Sequence, residues 1–395
     1  MNGPADRGLV GGSQAFLMMK TKKRALVAMS GGVDSSVAAA LLAKEGYDVI
    51  GVTMRLFNAP FEGAAKLSKS CCSLEDVEDA RDTCRIIGAK HYYMNFEKEF
   101  QEHVIDYFVG EYRQGRTPHP CLACNDRLKF SFLMERAELM EADVVATGHY
   151  ARIRSEADGT RSLLRGADVM KDQAYVLYNL RQDQLQRLAF PIGGYTKDEI
   201  REIARTEGLP VADKPDSQDI CFIPTGTYRE FVLERLDDPK PGVVVDADDN
   251  VLAEHDGIHQ FTIGQRKGLP MMGGSKRPIY VTSINSKSGK VTVGSVDGLL
   301  RDEVYASAVN WIDGAPPVDR NVTVKIRYRS PEEAATVEMI TPEIGKVKFS
   351  KPMRACTPGQ AIVFYQGDRV LGGGFIELES PLSEASTETD LAIAA

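Results

Sequence analysis

The stretch Ala28-Met29-Ser30-Gly31-Gly32-Val33-Asp34-Ser35-Ser36 joins two segments of different character. Residues 25–29 are apolar and predict a buried strand, and residues 36–44 are strong helix formers. Glycines between a strand and a helix let the backbone approach a ligand, and the free amides at the helix start favour an anion. The stretch therefore predicts a phosphate-binding loop, to which Ser30 and Ser35 can add hydroxyl donors.

This loop differs from the two commonest nucleotide-binding motifs. No Lys follows the glycines at the spacing of G-x-x-x-x-G-K-[ST], and G-x-G-x-x-G is absent. Ser-Gly-Gly-Val-Asp-Ser instead resembles the loop of the pyrophosphatase-type ATP enzymes, which cleave ATP to AMP and pyrophosphate. The resemblance implies ATP as the ligand.

Length, charge and cysteine content limit the possible classes of protein. A chain of 395 residues is long enough for two or three domains, and no run reaches the roughly eighteen apolar residues of a membrane span. The net charge of -8 neither indicates nor excludes RNA, because local basic patches decide binding. Seven irregularly spaced cysteines argue against a secreted disulfide scaffold and predict a reducing, cytoplasmic location.

Strands and helices alternate through the first half of the chain. Further strands are predicted at 47–54, 91–95 and 142–147, and helices at 74–87 and 96–112. The alternation predicts an α/β fold with a parallel sheet covered on both faces. Because ligands bind at the carboxyl ends of such strands, we expect the loop, Met54 and Gly148 to border one crevice.

The sequence pattern changes from helical to strand-like at a cluster of turn-forming residues, 239–242. Before it, residues 181–208 have a helical pattern; after it, short Val-, Ile- and Thr-rich runs predict one or two small β-barrels or sandwiches. We predict these parts: a flexible extension at 1–21, a catalytic domain at 22–221 whose helical insert at 188–209 packs with the central domain, a β-rich central domain at 222–300, a β-barrel at 301–380 and a disordered tail at 381–395.

Two stretches contain cysteines that are candidates for thiol chemistry. Residues 116–125 contain two prolines, which bar a helix there, and then Cys121-x-x-Cys124. Cys124 precedes a helical run at 128–130, and a helix start favours the reactive thiolate. Cys221 lies in a mixed polar and apolar stretch, where a buried, inert thiol is the default interpretation.

Several motifs at matching spacing resemble one family. They are the Ser-Gly-Gly-Val-Asp-Ser loop, the proline and cysteine stretch, and residues 146–150, 171–173, 217–222 and 262–269. In this order they resemble the tRNA-specific 2-thiouridylases, which place sulfur on the wobble uridine of certain tRNAs. The resemblance covers about residues 24–377 and implies a PP-loop domain of the adenine nucleotide α-hydrolase-like type, a small central domain and a C-terminal β-barrel.

The resemblance also implies roles for individual residues. Cys221 would carry a persulfide and Cys124 would be its partner nucleophile, so that the two form a disulfide or release sulfide. ATP, with Mg²⁺, would lie against Ala28, Met29, Ser30, Gly31, Gly32, Val33, Asp34, Ser35, Met54 and Gly148. His119, Pro120 and Cys121 would contact the flipped-out target base, and His149, Lys171, Asp172, Gln173, Arg327, Tyr328 and Gln360 would contact the tRNA.

The implied partners are tRNA, with Lys, Glu and Gln acceptors expected, and a persulfide donor protein. Two positions depart from the family pattern, since His119 replaces the usual Asn and Cys121 a frequent Asp. A Cys cannot hydrogen-bond a base as well as Asp, which leaves the base-contact role of Cys121 in question.

Alternative functions remain open on the sequence. The extra thiol allows a [4Fe–4S] cluster on Cys121, Cys124 and Cys221. Two further alternatives are a PP-loop ligase without thiol chemistry and a non-catalytic, zinc-dependent RNA-binding module on the same three cysteines. The adjacent Cys71 and Cys72 have no predicted role.

Overall fold

The structure is a computed structural model, and it describes residues 22–57, 74–216, 220–223, 227–270 and 278–382. The predicted extension at 1–21, Cys71 and Cys72, residues 217–219 of the Cys221 motif, and the predicted tail from residue 383 onward lie outside the described residues.

The bounds of the regular elements follow in chain order. The α-helices are α1 (Val33–Lys44), α2 (Leu74–Ile86), α3 (Glu97–Phe100), α4 (Asp106–Arg113), α5 (Pro120–Ala123), α6 (Leu133–Leu139), α7 (Gln182–Leu185), α8 (Lys197–Thr206) and α9 (Tyr228–Leu233). The strands are β1 (Arg24–Ala28), β2 (Asp48–Arg55), β3 (Lys90–Asn95), β4 (Val144–Thr147), β5 (Ala151–Ser155), β6 (Arg161–Arg165), β7 (Leu188–Ala189), β8 (Gly242–Val245), β9 (Val251–His255), β10 (Tyr280–Asn285), β11 (Lys290–Gly294), β12 (Leu300–Trp311), β13 (Asn321–Lys325), β14 (Glu333–Thr341), β15 (Ile344–Arg354), β16 (Ala361–Gln366) and β17 (Arg369–Glu377).

The first sheet is parallel and has the order β3-β2-β1-β4-β7 in the described part of the chain. Its central strand β1 is buried along four of its five residues, as its uninterrupted apolar sequence requires. The predicted α/β fold class is confirmed. The uniformly helical pattern predicted for residues 181–208 is wrong, because Leu188 and Ala189 pair with β4 and extend the sheet.

The second half of the chain forms two antiparallel-rich sheets. A four-stranded sheet has the order β10-β11-β8-β9. Strands β12 to β17 then form a closed barrel with the order β12-β15-β14-β13-β16-β17, since β17 also pairs with β12. The predicted sequence of a parallel-sheet domain, a small central domain and a C-terminal barrel is confirmed.

The hairpin β5–β6 connects the first half of the chain to the barrel. Arg369 and Val370 of β17 pair with Leu164 and Leu163 of β6, so a hairpin that follows the parallel sheet in sequence extends the barrel sheet. Patterning did not predict this hairpin. Its pairing fixes the parallel-sheet domain to the barrel by backbone hydrogen bonds.

Helix α8 lies in the insert that we expected to pack with the central domain. Its buried Ile200 and Ala204 lie in a hydrophobic cluster with Val33 and Val37 of α1. The contact places the first turn of α8 beside the first turn of α1. The N-terminus of α8 therefore lies next to the phosphate loop, in addition to that of α1.

Two helical regions contain π-helical turns. A π-helix at Gln101–Ile105 separates α3 from α4, and another at Cys124–Phe132 separates α5 from α6. The expectation that prolines bar a helix before Cys124 is wrong in part, because Pro120 occupies the first turn of α5, where its missing amide costs nothing. Among the described residues, no helix is long and apolar enough to cross a membrane.

Candidate active site

The phosphate loop connects β1 to α1 at the carboxyl edge of the parallel sheet. The backbone amide of Ser30 donates to Ser35 Oγ at 3.2 Å, and this hydroxyl donates to the carbonyl of Gly32 at 3.2 Å. Gly31 has a φ of +69°, and a Cβ placed there would lie 2.2 Å from the carbonyl oxygen of Asp76. The loop thus has a conformation and a clearance that only glycine permits.

Gly148, at the end of β4, lies directly against this loop. A Cβ at position 148 would be 2.6 Å from the backbone nitrogen of Ser35. Met54, on β2, is buried in the same hydrophobic cluster as Ala28. The structure therefore brings together the loop, Gly148 and the strand that carries Met54, as the topology of a parallel sheet predicts.

Asp34, in the first turn of α1, is held by two side chains. Lys197 Nζ donates to its two carboxylate oxygens at 2.9 and 3.0 Å, and the Tyr150 hydroxyl donates to Oδ1 at 2.7 Å. Burial, together with the charge and the hydrogen bond of Asp34, raises the pKa of Tyr150. The Tyr150 hydroxyl is therefore a proton donor in this network.

The same ammonium group contacts a second carboxylate, that of Asp216. Lys197 Nζ lies 2.8 Å from Asp216 Oδ1, and Lys171 Nζ lies 2.7 Å from Oδ2. Burial by itself would raise the pKa of Asp216, but hydrogen bonds from Lys171 and Lys197 lower it to about 2. Asp216 is consequently ionised and anchored by lysines.

Lys214 ties the segment before Cys221 to the loop itself. Its Nζ donates to the carbonyl of Gly31 at 3.0 Å and to Asp76 Oδ1 at 2.7 Å. Arg201 of α8 donates to the carbonyl of Lys214 at 3.0 Å, which holds the backbone of this segment from the other side.

The cysteine stretches border one hydrophobic cluster. Cys124 and Cys221 are half-buried and pack against the cluster that contains Leu122 and Phe222, whereas Cys121 is exposed. Ala28, which ends β1, belongs to the same cluster. Both thiols therefore pack against one hydrophobic cluster that extends from the parallel sheet into the barrel.

His119 lies close to this cysteine stretch and faces Tyr175. The two ring centroids are 6.2 Å apart, and the buried His119 Nδ1 has no hydrogen-bond partner among the described residues. Burial lowers the pKa of His119, so the imidazole is neutral at pH 7. A neutral ring with an unused buried nitrogen is suited to accept or donate one hydrogen bond to a ligand.

The barrel contributes the predicted RNA-contacting residues beside the cysteine stretch. Gln360 Nε2 donates to the carbonyl of Thr117 at 2.8 Å. The ring of Tyr328 lies 6.1 Å from that of Tyr175, and Arg327 donates to Thr357 Oγ1 at 3.2 Å. Gln360 therefore contacts the stretch that contains His119, and Tyr328 contacts the Tyr175 ring that His119 faces, whereas Arg327 contacts the barrel's own Thr357.

Four other predicted RNA contacts serve local structure in this state. Asp172 accepts from the amides of Gly166 and Ala174, Gln173 accepts from the amide of Tyr150, and Lys171 pairs with Asp216. His149 is buried, and its Nδ1 lies 2.5 Å from Thr147 Oγ1. A direct contact between RNA and His149 would require the side chains over it to move.

The site predicted from the sequence does not include four charged residues of the ion pairs described above: Lys197, Lys214, Asp76 and Asp216. One signal existed in the sequence: Lys197 directly follows Thr196, the first residue of the capping box Thr196–Glu199, and a cation in the first turn of a helix is electrostatically unfavourable unless it has a partner. That partner, Asp34, is distant in sequence, so the pair could not be assigned without the fold.

The fold and the site define a class of protein. A Gly-Gly loop between the central strand and first helix of a parallel sheet, with no Walker lysine, is the phosphate site of PP-loop α/β proteins. The family model described as "tRNA methyl transferase HUP domain" matches residues 23–225. A PRC-barrel model and an aminomethyltransferase β-barrel model of the same series match residues 229–295 and 301–376.

Curated relatives identify the family within this class. The chain is 47% identical to a tRNA-specific 2-thiouridylase MnmA of Carboxydothermus hydrogenoformans, over 90% of this chain and 98% of that protein. It is 48% identical to one from Thermoanaerobacter pseudethanolicus, over 91% and 99%. The chain therefore belongs to the tRNA-specific 2-thiouridylase family, and the predicted membership in this enzyme family is confirmed.

A solved structure of a 4-thiouridine synthetase–RNA complex with bound ATP resembles part of the chain. It is 21% identical, covers 54% of this chain and 50% of its own, and has a TM-score of 0.34. A score this low supports no functional inference.

Proposed function

We propose that this protein thiolates the wobble uridine of tRNA at position 2 in an ATP-dependent reaction. The observation that carries the proposal is the Gly-Gly phosphate loop between β1 and α1, with Gly148 directly against it. Cys124 and Cys221 are half-buried and pack against one extended hydrophobic cluster. Membership in the 2-thiouridylase family supports the same reaction.

The first step is activation of the base. The O2 atom of the uridine attacks the α-phosphorus of ATP, pyrophosphate leaves, and the base carries an adenylate. The loop amides and the start of α1 are suited to hold the phosphates. Magnesium bound with the triphosphate would neutralise charge on the leaving pyrophosphate, and Asp34 would hold it in exchange for its present partners Lys197 and Tyr150.

The second step is sulfur transfer. The terminal sulfur of a Cys221 persulfide attacks C2 of the base, and AMP leaves with the former carbonyl oxygen. Cys124, as thiolate, then attacks Sγ of Cys221, so that the S–S bond breaks and its electron pair stays on the sulfur bound to C2. The product is 2-thiouridine and a Cys124–Cys221 disulfide, which an external dithiol reduces before the next turnover. In a variant of this route, Cys124 assists breakdown of the persulfide to sulfide, which attacks C2.

The RNA is expected to bind across the cysteine stretch and the barrel. Tyr328 suits stacking on a base, and Arg327 suits a phosphate contact. Lys171, Asp172, Gln173 and Gln360 would contact the tRNA, and His119, Pro120 and Cys121 would line the entrance for a flipped base. The tRNA identities and the persulfide donor remain those expected from the family resemblance.

Mass spectrometry of nucleosides tests this function directly. Unmodified tRNA, ATP, a protein persulfide and a dithiol are incubated with the protein, and 2-thiouridine, AMP and pyrophosphate are quantified. We expect one AMP for each 2-thiouridine, and we expect Cys221→Ser and Cys124→Ser to abolish 2-thiouridine. Cys356→Ala, which removes a buried thiol of the barrel core, is the control and should retain activity. Full activity of Cys221→Ser would refute the persulfide role.

The iron–sulfur route is the second candidate, because three cysteines are present. Among the described residues, no group of three His, Cys, Asp or Glu side chains is arranged to hold a metal. Cys121→Ser separates the two. The two-thiol route predicts that neither the wild type nor the variant binds iron, so any change in thiolation reflects the base contact. A cluster on Cys121, Cys124 and Cys221 predicts iron in the wild type and the loss of both iron and thiolation in the variant.

A further inference from the structure

Lys325, the last residue of β13, is a half-buried cation on the outside of the barrel. Val322, Val324 and Ile326 alternate with it and are buried in the barrel core, so Lys325 points outward. Among the described residues, its ammonium group forms no hydrogen bond and no ion pair. Burial lowers the pKa of Lys325, and the charge of Arg165 lowers it further. A cation in such a place costs free energy unless an anion joins it.

Two carboxylates act electrostatically on Lys325, but each is engaged elsewhere. The carboxylate of Glu332 lies 2.8 Å from the guanidinium group of Arg165. Asp172 Oδ1 accepts hydrogen bonds from two backbone amides, each at 3.0 Å. Arg165 also lies over the ring of Tyr365, 3.9 Å from its centroid. The charge of Lys325 is therefore only partly compensated, and its ammonium group can donate to an external anion.

Lys325 lies at the margin of the contact between the barrel and the parallel-sheet domain. It pairs in register with Val363 of β16. Val363 and Tyr365 face away from the barrel core and pack into the cluster that contains Tyr175. The ring of Tyr328, three residues after Lys325, lies 6.1 Å from that of Tyr175. Lys325 therefore lies beside the region in which we expect the target base.

The outward alternation continues from Lys325 to Arg327, for which we propose a phosphate contact. Arg327 donates to the carbonyl of Ala355 and to Thr357 Oγ1, and in the described part of the chain no carboxylate contacts it. Buried residues alternate with both cations, so the two lie on the same outer side of the barrel. Cations in a row along one edge are suited to successive phosphates of one RNA strand.

We propose that Lys325 is a positioning residue that binds a backbone phosphate of the tRNA next to the flipped wobble uridine. The phosphate supplies the anionic partner that the ammonium group lacks among the described residues, in a charge-assisted hydrogen bond. Phosphate contacts fix the register of a nucleic acid without reading its sequence. Lys325 therefore holds the anticodon loop in place and does not select among tRNAs. The assignment rests on the proposed thiolation of tRNA.

The salt dependence of tRNA binding tests this contact. The dissociation constant of unmodified tRNA is measured by fluorescence anisotropy over a series of KCl concentrations. We expect Lys325→Met to weaken binding about tenfold at low salt. The slope of log K against log[KCl] should become smaller by about 0.7–1, which corresponds to one phosphate contact. Lys325→Arg should retain most of the affinity and the slope. The dissociation constant of ATP, and kcat at saturating tRNA, should not change.

Lys348→Met is the matched control. Lys348 also points outward from the barrel, between the buried Val347 and Phe349 of β15. In the strand order, β14 and β13 separate β15 from β16, so this side chain is away from the contact with the parallel-sheet domain. The variant removes the same charge and should bind tRNA as the wild type does.

Stability provides a second readout for Lys325→Met. Methionine has a similar shape and removes an ammonium group whose burial is unfavourable. We therefore expect the free energy of unfolding in urea to stay the same or rise. A lower stability together with an unchanged salt slope would assign Lys325 a structural role and overturn the proposal.

The phosphate is located with anticodon stem-loop RNAs that each carry one uncharged methylphosphonate near the wobble uridine. At one position, the methylphosphonate should weaken binding to the wild type and have little further effect on Lys325→Met, as expected for two groups in direct contact. Additive losses at every position would contradict a contact between Lys325 and a phosphate.

The outcomes separate the contact from the proposed function. If the wild type binds no tRNA or forms no 2-thiouridine, the proposed function fails. If the wild type does both, and Lys325→Met keeps the wild-type affinity and salt slope, the contact is wrong and thiolation is unaffected.

Discussion

The phosphate loop and the cysteine stretch at residues 116–121 are held in place by different parts of the molecule. The loop is fixed from within the first half of the chain, by Lys197 on Asp34 and Lys214 on Gly31. The cysteine stretch is fixed by the barrel, because its Arg116 forms a bidentate pair with Glu377 of β17 at 2.6 and 2.8 Å. Both anchors join residues distant in sequence, but the loop is held by residues of the first half of the chain and the cysteine stretch by the barrel.

We therefore expect that substitutions can disrupt the phosphate loop and the cysteine stretch separately. A change at the loop should remove nucleotide binding, and with it every later step. A change at the barrel contact should leave nucleotide binding intact and impair thiolation alone. Three substitutions test this division, in decreasing order of expected effect.

Gly31→Ala should have the largest effect. An alanine there adopts a left-handed conformation, at a cost of about 1–2 kcal/mol. Its Cβ also lies 2.2 Å from a backbone oxygen of Asp76, and such overpacking costs about 1–3 kcal/mol more. We expect a lower free energy of unfolding in urea and no calorimetric binding of ATP.

Gly46→Ala is the control for the loop substitution. Gly46 also has a positive φ, of +90°, but nothing lies within 4 Å of its Cβ position. It should show the conformational cost alone and bind ATP normally. Equal losses in the two variants would contradict a role for the contact with Asp76.

Glu377→Gln should have an intermediate effect. It weakens the half-buried pair with Arg116 and leaves a guanidinium group with one carboxylate partner, Glu111. Loss of such a charged hydrogen bond costs about 1–3 kcal/mol. We expect slower formation of 2-thiouridine and an unchanged dissociation constant for ATP.

Asp313→Asn provides the comparison for the barrel substitution. It weakens the more exposed pair between Asp313 and Arg369, for which we expect less than about 1 kcal/mol and no effect on thiolation. A fall in ATP affinity in Glu377→Gln would show that the two ends of the site are not independent.

Asp216→Asn is the third substitution, and its effect on stability depends on pH. Although burial opposes it, hydrogen bonds from Lys171 and Lys197 lower the pKa of Asp216 to about 2 in the folded protein, below its ordinary value of 3.8. Its contribution to stability is therefore present above about pH 4 and is lost as the pH falls towards 2. Urea unfolding at pH 6 and pH 3 should show a smaller difference between wild type and variant at pH 3. A difference that does not depend on pH would contradict ionisation of Asp216 as its source.

The first half of the fold could be predicted because its signals are local. The apolar run of β1, the glycines of the loop and the helix formers of α1 are adjacent in sequence, and adjacent signals define a strand–turn–helix unit. The pairing of β6 with β17 and the strand at Leu188–Ala189 were not predicted. Each of these depends on hydrogen bonds between segments distant in sequence.

The same division applies to the site. The sequence by itself determined the phosphate loop, the two cysteine stretches and the family, because these reside in residue identity and spacing. Only the tertiary structure decided that Lys197 lies between Asp34 and Asp216, and that the barrel holds the cysteine stretch. The physical reason is that an ion pair needs two charges within a few ångströms, and their separation is set by how helices and sheets pack.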